Sequence, residues 1–415
     1  MTTTINNEHK KLNVPNVRFP EFQGEWEKCK LRDIANITGG YAFKSDTLNS
    51  IGGKYQVVKM GNLYQNQLDL HRSPSYTDIL TSKAENVILR KGDIAITLTG
   101  TNNKRDFGYT YIFNDEKNLL LNQRCGLIRT TGNPYFLSCL LKTYAFLNQF
   151  FESATGGTGN QANVSTKAME MFSVNIPSLK EQKKIGELMA LLDERIATQN
   201  KIIDKLQSLI KGLNDTLYAQ HGNEVMTSFA ELGTPYSGLS GKSAQDFGSG
   251  KPFITYLNVY SNNIINENDF QYVAIKDGEK QNIVEYGDVL FTLSSETPNE
   301  VGIGSVFLGK EKVYLNSFCF GIHITNKEVA FPPYLSYYVS STAFRKFIYP
   351  YAQGSTRFNL CKAGFEKASI KLPTLENQKR IHSILGHIDC KIETERLLLA
   401  LYNSQKQYLL RQMFI

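Results

Sequence analysis

The sequence predicts an α+β protein in which two similar small domains, each with a curved mixed sheet and short helices, are joined by two long helices. Those helices should form an antiparallel coiled coil, which gives the chain a pseudo-two-fold design. The first observation behind this prediction is a repeated decapeptide, IPSLKEQKKI at residues 176–185 and LPTLENQKRI at residues 372–381, at an offset of 196. The second is that each copy opens a long helical pattern. The third is that each copy follows a stretch rich in glycine, aromatic and polar turn residues.

These observations divide the chain into four segments. We expect a first globular domain at residues 1–175, a central helix at 176–222, a second globular domain at 223–371 and a C-terminal helix at 372–415. A chain of 415 residues is long enough for two or three domains that each bury a core.

The repeat continues outside the helices, at offsets that drift as loop insertions and deletions would make them drift. The matched segments are GDI at 92–94 with GDV at 287–289, LNQRC at 121–125 with LNSFC at 315–319, and NPYF at 133–136 with PPYL at 332–335. We interpret the halves as two copies of one scaffold that recognise different targets.

Each globular domain should consist of short strands separated by turns. Short segments separated by turn residues predict strands at 55–60, 86–89, 93–98, 109–113 and 125–128, and at 253–257, 289–293, 305–307 and 319–324. A helix that begins with proline should follow in each domain, at 134–152 and 333–349.

Both long helices carry apolar residues at a period of 3.5, which is typical of a coiled coil. One polar residue interrupts the seam at matched places, Gln199 and Glu395, and would fix the register. Residues 185–217 would span about 48 Å at 1.5 Å per residue, comparable to one to one-and-a-half turns of duplex DNA. Alternatively, each helix simply covers its own sheet. The predicted seam is Ile185, Leu192, Ile196, Gln199, Leu206, Leu213, Ile381, Ile388, Ile392, Glu395, Tyr402 and Leu409.

Composition points to a cytoplasmic protein. No apolar run approaches the length of a membrane span, and the first residues contain no apolar secretory segment. The six cysteines show no metal-binding spacing and should be reduced thiols. The net charge is +7, but residues 1–175 hold 20 Lys and Arg against 15 Asp and Glu, whereas residues 223–371 hold 13 against 14. The second domain therefore neither supports nor excludes DNA binding by charge alone.

Polar loops at matched positions are the candidate nucleic-acid contacts. Residues 99–105, 156–163 and 354–359 combine Gly with Arg, Asn and Gln, which can bond base edges, and with Lys, Ser and Thr, which suit phosphates. Taken singly, such loops are as often solvated turns. The candidates are Tyr41, Lys44, Lys59, Asn62, Thr99, Asn102, Asn103, Lys104, Arg105, Gln123, Arg124, Thr158, Asn160, Gln161, Asn163, Lys167, Tyr236, Lys242, Asn258, Ser294, Ser295, Thr297, Asn299, Ser317, Thr356, Arg357, Asn359 and Lys362.

No catalytic constellation is present in the sequence. Residues 133–136 and 331–334 superficially match the motif with which amino-methyltransferases hold a flipped base, but their repeated position at a helix start indicates a structural role. No glycine-rich cofactor loop follows a strand, and the histidines lack metal-binding spacing. We therefore expect neither catalytic residues nor a metal site in this chain.

The chain resembles the specificity subunits of type I restriction–modification systems over nearly its whole length. The resemblance rests on PNVRFPEF at 15–22 with Trp26 and LRDI at 31–34, on the repeated Gly-Asp, on the glycine-rich loop before each long helix and on the doubled (Ile/Leu)-Pro-x-Leu-x-x-Gln-Lys motif. It implies two target-recognition domains, each reading half of an asymmetric bipartite DNA site, and a coiled coil that sets the spacer.

The resemblance also implies partners. Two modification subunits would methylate adenine with S-adenosylmethionine, and two restriction subunits would translocate and cut double-stranded DNA with ATP and Mg²⁺, so this chain would bind no cofactor itself. Two other readings remain: an enzyme with a divergent site, and a coiled-coil scaffold that assembles proteins without DNA readout.

Overall fold

The structure, a computed structural model, describes residues 13–115, 118–156 and 161–415, without the side chain of Asn102. The chain forms two compact units: unit 1 comprises Met1–Asn200 and Leu398–Ile415, and unit 2 comprises Lys201–Leu397. Each unit contains one globular domain and part of both long helices. The first long helix is Leu179–His221 and the second is Leu375–Gln412, so all four helix ends lie within three residues of the predicted segments.

Unit 1 is built on a four-stranded antiparallel sheet and a three-stranded mixed sheet. The first has the order Ala35–Gly39, Cys125–Thr130, Ile94–Thr97, Thr110–Ile112. In the second, Tyr55–Val58 pairs parallel with Leu119–Leu121 and antiparallel with Tyr76–Thr77.

Shorter pairs and helices complete unit 1. The pairs are Glu27–Lys30 with Ser173–Ile176, Leu63–Tyr64 with Gln67–Leu68, and Gln161–Asn163 with both Thr99–Thr101 and Thr155–Gly156. The α-helices are Leu31–Ile34, Ser82–Glu85, Pro134–Leu140, Tyr144–Glu152 and Thr166–Glu170, with 3-10 turns at Ser45–Thr47, Met60–Asn62 and Asn102–Lys104.

Unit 2 repeats this plan. Its four-stranded sheet has the order Gly233–Ser237, Cys319–Ile324, Val289–Thr292, Gly304–Val306. The mixed sheet joins Phe247–Ile254 to Gln271–Val273 and to Tyr314–Leu315. The remaining strands are Val225–Thr227 with Ile370–Leu372, and Phe358–Leu360 with Ser294–Ser295 and Ala352–Gln353. The helices are Phe229–Leu232, Tyr256–Ser261, Pro332–Tyr338, Thr342–Ile348 and Lys362–Lys367, with 3-10 turns at Ala244–Asp246, Glu267–Asp269, Pro298–Glu300 and Tyr349–Tyr351.

Three local predictions, two helices and one strand, were wrong. The helices predicted at 134–152 and 333–349 are each divided in two, because the hydroxyls of Thr143 and Ser341 accept hydrogen bonds from the backbone N–H of Phe146 and Phe344 and so start a new helix. The stretch 86–89 is not a strand, since only an isolated bridge joins Ile88 to the neighbouring strand.

The glutamine of each repeated decapeptide forms hydrogen bonds at a buried junction between a long helix and its domain. Gln182 donates to the carbonyl oxygen of Pro177 at 3.0 Å and accepts from the Asn133 N–H at 3.2 Å. Gln378 donates to the carbonyl oxygens of Pro373 and Val329 at 2.8 and 2.7 Å, and accepts from the Phe331 N–H at 2.8 Å. Each glutamine therefore ties the start of a long helix to the start of a domain helix. It satisfies backbone groups that would otherwise be buried without partners.

The long helices pair antiparallel within each unit. In unit 1, Lys406 forms an ion pair with Asp193, and the Arg195 guanidinium lies 5.5 Å from the centre of the Tyr402 ring. Residue numbers therefore increase along the first helix in the direction in which they decrease along the second. In unit 2, His221 at the end of the first helix meets Asn377 at the beginning of the second. The two-domain, two-helix fold is thus confirmed.

Every predicted seam residue is buried or half-buried, including the polar residues Gln199 and Glu395, each with 6% of its surface exposed. Ile185 and Ile381 also belong to the hydrophobic cores of their own domains. The two roles considered for the helices, forming a seam and covering a domain, are therefore both present along their length.

Candidate nucleic-acid interface

Two polar loops predicted from the sequence meet in one small sheet of unit 1. Thr99–Thr101 pairs antiparallel with Gln161–Asn163, so that Gln161 lies opposite Thr101 and Asn163 opposite Thr99. The Thr99 hydroxyl donates to the Asn163 side-chain oxygen at 2.9 Å. Gln161 and Asn163 are exposed, whereas Ala162 between them is buried. The strand therefore presents both amide side chains on its exposed face, while Ala162 packs on the opposite, buried face.

The loop that follows Thr101 carries two exposed cations, Lys104 and Arg105. Asp106 accepts hydrogen bonds from the Thr101 N–H and hydroxyl, which closes the turn. Arg105 has φ +46°, and its guanidinium lies 5.1 Å from the centre of the Phe151 ring. Stacking on an aromatic ring restricts the guanidinium while leaving its N–H groups free to bond a base or a phosphate. Asn103 and Lys104 are exposed beside it.

Unit 2 forms the same small sheet from different side chains. Ser294 lies opposite Asn359 and Ser295 opposite Phe358. Arg357, which is exposed, donates from Nη2 to the Ser294 hydroxyl at 3.2 Å. Thr356 and Asn359 are exposed on the same segment.

A glutamate organises the adjoining loop of unit 2. The Glu300 carboxylate accepts from the hydroxyls of Ser295, Thr297 and Tyr260, and these bonds lower its pKa. Asn299, another predicted contact, is exposed in the same turn. This loop thus places a carboxylate beside the small sheet, where unit 1 has the exposed Lys104 and Arg105.

Six predicted DNA contacts are buried and do not fit direct contact. Asn62 donates to the carbonyl oxygens of Asp69 and Arg72, and Asn258 donates to that of Asn266, so both amides hold loops together. We assign such residues a supporting role, because their side chains expose almost no surface to a base or phosphate. The six are Asn62, Thr99, Tyr236, Asn258, Ser294 and Ser295. Lys242 is similarly committed, since its ammonium group lies 2.6 Å from a Glu279 carboxylate oxygen and only 6% of its side chain is exposed.

Other predicted contacts lie on neighbouring elements. Exposed Gln123, Arg124 and Ser317 belong to the turns that precede Cys125–Thr130 and Cys319–Ile324. Tyr41 is half-buried and bridges to Asn122.

The four remaining lysines lie outside the small sheets, and the structure does not bring them into the paired strands. Lys44 and Lys167 are exposed, the ammonium group of Lys59 donates to the Ser75 hydroxyl, and the ammonium group of Lys362 lies 4.9 Å from the centre of the Phe320 ring. Thr158, Asn160 and the side chain of Asn102 lie outside the described residues.

The repeated Gly-Asp motif forms a turn that lies outside the small sheets. Asp93 accepts from the Arg90 N–H and Asp288 from the Glu285 N–H, both at 2.9 Å, and the preceding glycines have φ +87° and +94°. Asp93 also holds Arg129 through two 2.9 Å contacts.

Asp288 binds different side chains, accepting from the Tyr236 hydroxyl at 2.7 Å and lying 3.0 Å from Nδ1 of His323. Burial raises the pKa of Asp288, and the bonds from Tyr236 and His323 oppose that rise.

An apolar groove of about 530 Å³ lies on the long helices of unit 1. It is lined by Leu188, Leu191, Leu192 and Leu409, with Arg195 at its polar side, and Leu191 is 64% exposed. Within the described parts of the chain, no group of three or more His, Cys, Asp or Glu side chains is placed to hold a metal ion. Among those same residues, no helix is long and apolar enough to cross a membrane.

Comparison with known proteins assigns the whole arrangement to a family. The sequence model of the type I restriction modification DNA specificity domain matches residues 23–208 and again residues 240–401. The chain belongs to this family. Each match covers one globular domain and part of the helix that follows it, so both halves of the repeat are specificity domains.

Relatives of this specificity subunit support the assignment along its length. A Methanocaldococcus jannaschii protein named as the MjaX type I restriction enzyme specificity subunit is 23% identical, over 94% of this chain and 92% of the relative. The EcoAI specificity subunit of Escherichia coli is 29% identical over 43% of this chain, although that match spans only 29% of the relative. The identity as a specificity subunit supports a role without catalysis.

Solved structures show the same fold. The type I restriction–modification S subunit of M. genitalium has a TM-score of 0.55 at 14% identity, covering 97% of this chain and 99% of that one. A chain from a structural study of type I complex assembly and conformational transition also scores 0.55, at 16% identity and 94% coverage of this chain.

Proposed function

We propose that each unit of this specificity subunit reads one half of an asymmetric bipartite site in double-stranded DNA. The observation that carries the proposal is the small sheet found in both units, built on the same pairing but displaying different side chains. Unit 1 presents Gln161 and Asn163, and unit 2 presents Arg357 and Asn359. Asn and Gln suit adenine and Arg suits guanine in the major groove, so the two sheets would select different bases.

We infer that the paired long helices set the spacing between the half-sites and bind the catalytic subunits. Helix length changes by 1.5 Å per residue, which makes a helix a suitable spacer along DNA. The apolar groove beside Leu191 and Leu409 is a fitting place for an apolar helix of a modification subunit. Two modification and two restriction subunits would complete the complex.

The chemistry would belong to the partner subunits. The modification subunits would methylate adenine with S-adenosylmethionine, and the restriction subunits would use ATP and Mg²⁺ to translocate and cut DNA. This chain would bind none of these cofactors and would supply recognition only.

Mapping of adenine methylation in cells tests the proposal directly. The cells would carry this chain with its modification subunit, with and without exchange of residues 1–175 for those of a relative. A split motif of which only the first half changes supports the proposal. A motif that does not depend on this chain, or no motif, contradicts it and favours a protein scaffold without DNA readout.

Point variants locate the readout. Arg105→Ala or Gln161→Ala should relax specificity in the first half-site only, whereas Arg357→Ala should relax only the second. Lys91→Ala is a matched control, since Lys91 is exposed at the opposite end of strand Ile94–Thr97 from Thr99. Loss of specificity in both half-sites from one variant would contradict independent reading by the two units.

An insertion tests the spacing role. One extra heptad in a single long helix keeps the apolar period, so the seam can still pair beyond it. The spacer preference should change or the complex should fail to assemble. A complex that assembles and methylates the original site unchanged would show that the helices do not set the spacing.

A further inference from the structure

A turn beside each small sheet is closed by the same backbone hydrogen bond in the two units. In unit 1, Asn122 accepts at its backbone carbonyl from the Cys125 N–H at 3.0 Å, and its side-chain oxygen accepts from the Gln123 N–H at 2.6 Å. In unit 2, Asn316 accepts from the Cys319 N–H at 3.0 Å, and its side-chain oxygen accepts from the Phe318 N–H at 2.9 Å. Both turns are therefore closed by an asparagine that bonds the backbone ahead of it.

A glycine packs against each turn at the same distance. A Cβ atom at Gly40 would lie 2.1 Å from the carbonyl oxygen of Asn122, and one at Gly238 would lie 2.1 Å from that of Asn316. No side chain fits there, so the crossing segment is held tightly against the turn. The turns are rigid parts of the scaffold.

The third residue of each turn is fixed beside the small sheet but differs in chemistry. The carbonyl oxygen of Arg124 accepts from the Leu98 N–H at 2.9 Å, next to Thr99. The carbonyl oxygen of Phe318 accepts from the Leu293 N–H, also at 2.9 Å, next to Ser294. Unit 1 thus exposes a cation where unit 2 exposes Phe318, a residue with 57% of its surface accessible.

We propose that Phe318 makes an apolar contact with a base pair of the second half-site, beside the bases contacted from Arg357 and Asn359. This inference rests on the proposed function. An exposed phenyl ring on a rigid turn loses little freedom on binding, and proteins place such rings against thymine methyl groups or between base steps. Neither contact needs a positive charge, which suits a domain with little net charge. Arg124 makes an electrostatic contact at the matched position.

The experiment uses the full chain in complex with its modification subunit, and duplexes that carry the site mapped for the unchanged chain. Phe318→Ala is compared with Phe318→Tyr, which keeps an aromatic ring, and with Tyr286→Ala. Tyr286 is 55% exposed and precedes strand Val289–Thr292, whereas the Phe318 carbonyl oxygen meets the Leu293 N–H beyond the other end of that strand. Arg124→Ala reports the electrostatic counterpart in unit 1.

We expect Phe318→Ala to weaken binding about ten-fold, as loss of one base contact does, and to relax sequence preference at one or two positions of the second half-site. The slope of log affinity against log salt should stay unchanged for Phe318→Ala and fall by about one for Arg124→Ala, which removes a phosphate contact. Phe318→Tyr should remain close to the unchanged chain, and Tyr286→Ala should have no effect.

Replacing thymine by uracil at each affected position identifies the contact. Weakened binding by the unchanged chain but not by Phe318→Ala indicates a methyl contact, and equal binding indicates a ring at a base step. Both results support the proposal.

The proposal is overturned if Phe318→Ala binds and methylates like Tyr286→Ala, or if it instead reduces assembly with the modification subunit. If the unchanged chain sets no methylation motif at all, the proposed function itself fails, and that outcome is distinct.

Discussion

The two units join their globular domains to the long helices with different chemistry at matched positions. In unit 1, Trp26 packs against Phe136 and Phe414 at ring-centre distances of 5.8 and 6.3 Å. The position matched to Trp26 in unit 2 is Glu224, because strands Glu27–Lys30 and Val225–Thr227 pair in the same register with Ile176 and Leu372.

Glu224 binds through polar contacts. Its carboxylate accepts from the Thr374 N–H at 2.7 Å and from the Asn377 amide at 2.9 Å. In unit 1 the residue matched to Asn377 is Glu181, which accepts from Trp26 and forms two contacts with Arg18, at 2.7 and 2.8 Å. The backbone pairing is therefore the same in both units, but the hydrogen-bond roles are exchanged. In unit 1, Trp26 just before the strand donates to the helix residue Glu181. In unit 2, the helix residue Asn377 donates to Glu224 just before the matched strand.

The largest effect expected from this difference is the loss of the aromatic cluster. Trp26→Ala should destabilise unit 1 by about 3–5 kcal/mol, since Trp26 is almost fully buried and the surrounding rings cannot fill the space. Thermal unfolding followed by circular dichroism should show the transition of unit 1 at a lower temperature.

Phe22→Ala is the control for Trp26→Ala. Phe22 is an aromatic residue of the same N-terminal segment but is only half-buried and packs edge-on against Phe19, so its removal should shift the transition much less. An equal shift for both variants would mean that the cluster around Trp26 does not hold the junction of unit 1.

A smaller effect is expected at the two buried glutamines, which are matched in sequence but not in bonding. Gln378→Leu leaves three backbone groups without a hydrogen-bond partner and should lower the free energy of unfolding by roughly 2–4 kcal/mol. Gln182→Leu leaves two such groups, whose bonds are longer, and should lower it by less. Trp26 is the only tryptophan of the chain and lies in unit 1. Its fluorescence should therefore report Gln182→Leu, while calorimetry of the full chain reports both variants.

The same measurement shows whether the two units unfold separately. If Gln378→Leu shifts the fluorescence transition of Trp26 as far as Gln182→Leu does, the units do not unfold separately. Both junctions would then stabilise the chain as a whole.

The sequence predicted the features that depend on periodicity and repetition. The long helices were found within three residues because their apolar spacing persists over many turns, and the polar seam positions Gln199 and Glu395 follow from the same period. The sequence alone could not show that Thr143 and Ser341 start new helices. A hydroxyl residue within an apolar helical pattern is also compatible with one unbroken helix.

The site was predictable at the level of segments rather than side chains. The recurrence of residues 156–163 and 354–359 at matched places indicated two matched polar segments, but not that they form strands. Their pairing with Thr99–Thr101 and Ser294–Ser295 depends on contacts more than 60 residues apart in sequence. Burial of Asn62, Asn258 and Ser294 could not be anticipated, since polar residues in turns face solvent as often as they satisfy buried backbone. Phe318 was not predicted as a contact, because a phenyl ring carries no hydrogen-bonding group that would mark it as a base reader.

The smallest expected effect is a pH dependence of stability that is present at the junction of unit 2 and absent from that of unit 1. Hydrogen bonds from the Asn377 amide and the Thr374 backbone lower the pKa of Glu224 to about 2, from an ordinary value of 4.5. A carboxyl group with a lowered pKa stabilises the folded state above its ordinary pKa, and this contribution is lost as pH falls from 4.5 towards 2. Trp26 at the matched position of unit 1 does not titrate.

Glu224→Gln should therefore lower the stability of unit 2 at neutral pH, and its difference from the unchanged chain should shrink as the pH falls towards 2. Denaturant unfolding at a series of pH values, followed by circular dichroism, measures that difference. Glu296→Gln changes an exposed glutamate of the same unit and serves as the control. A difference for Glu224→Gln that persists undiminished at pH 2 would show that its charge does not act at the junction. The polar closure of unit 2 would then rest on Asn377 and the helix backbone alone.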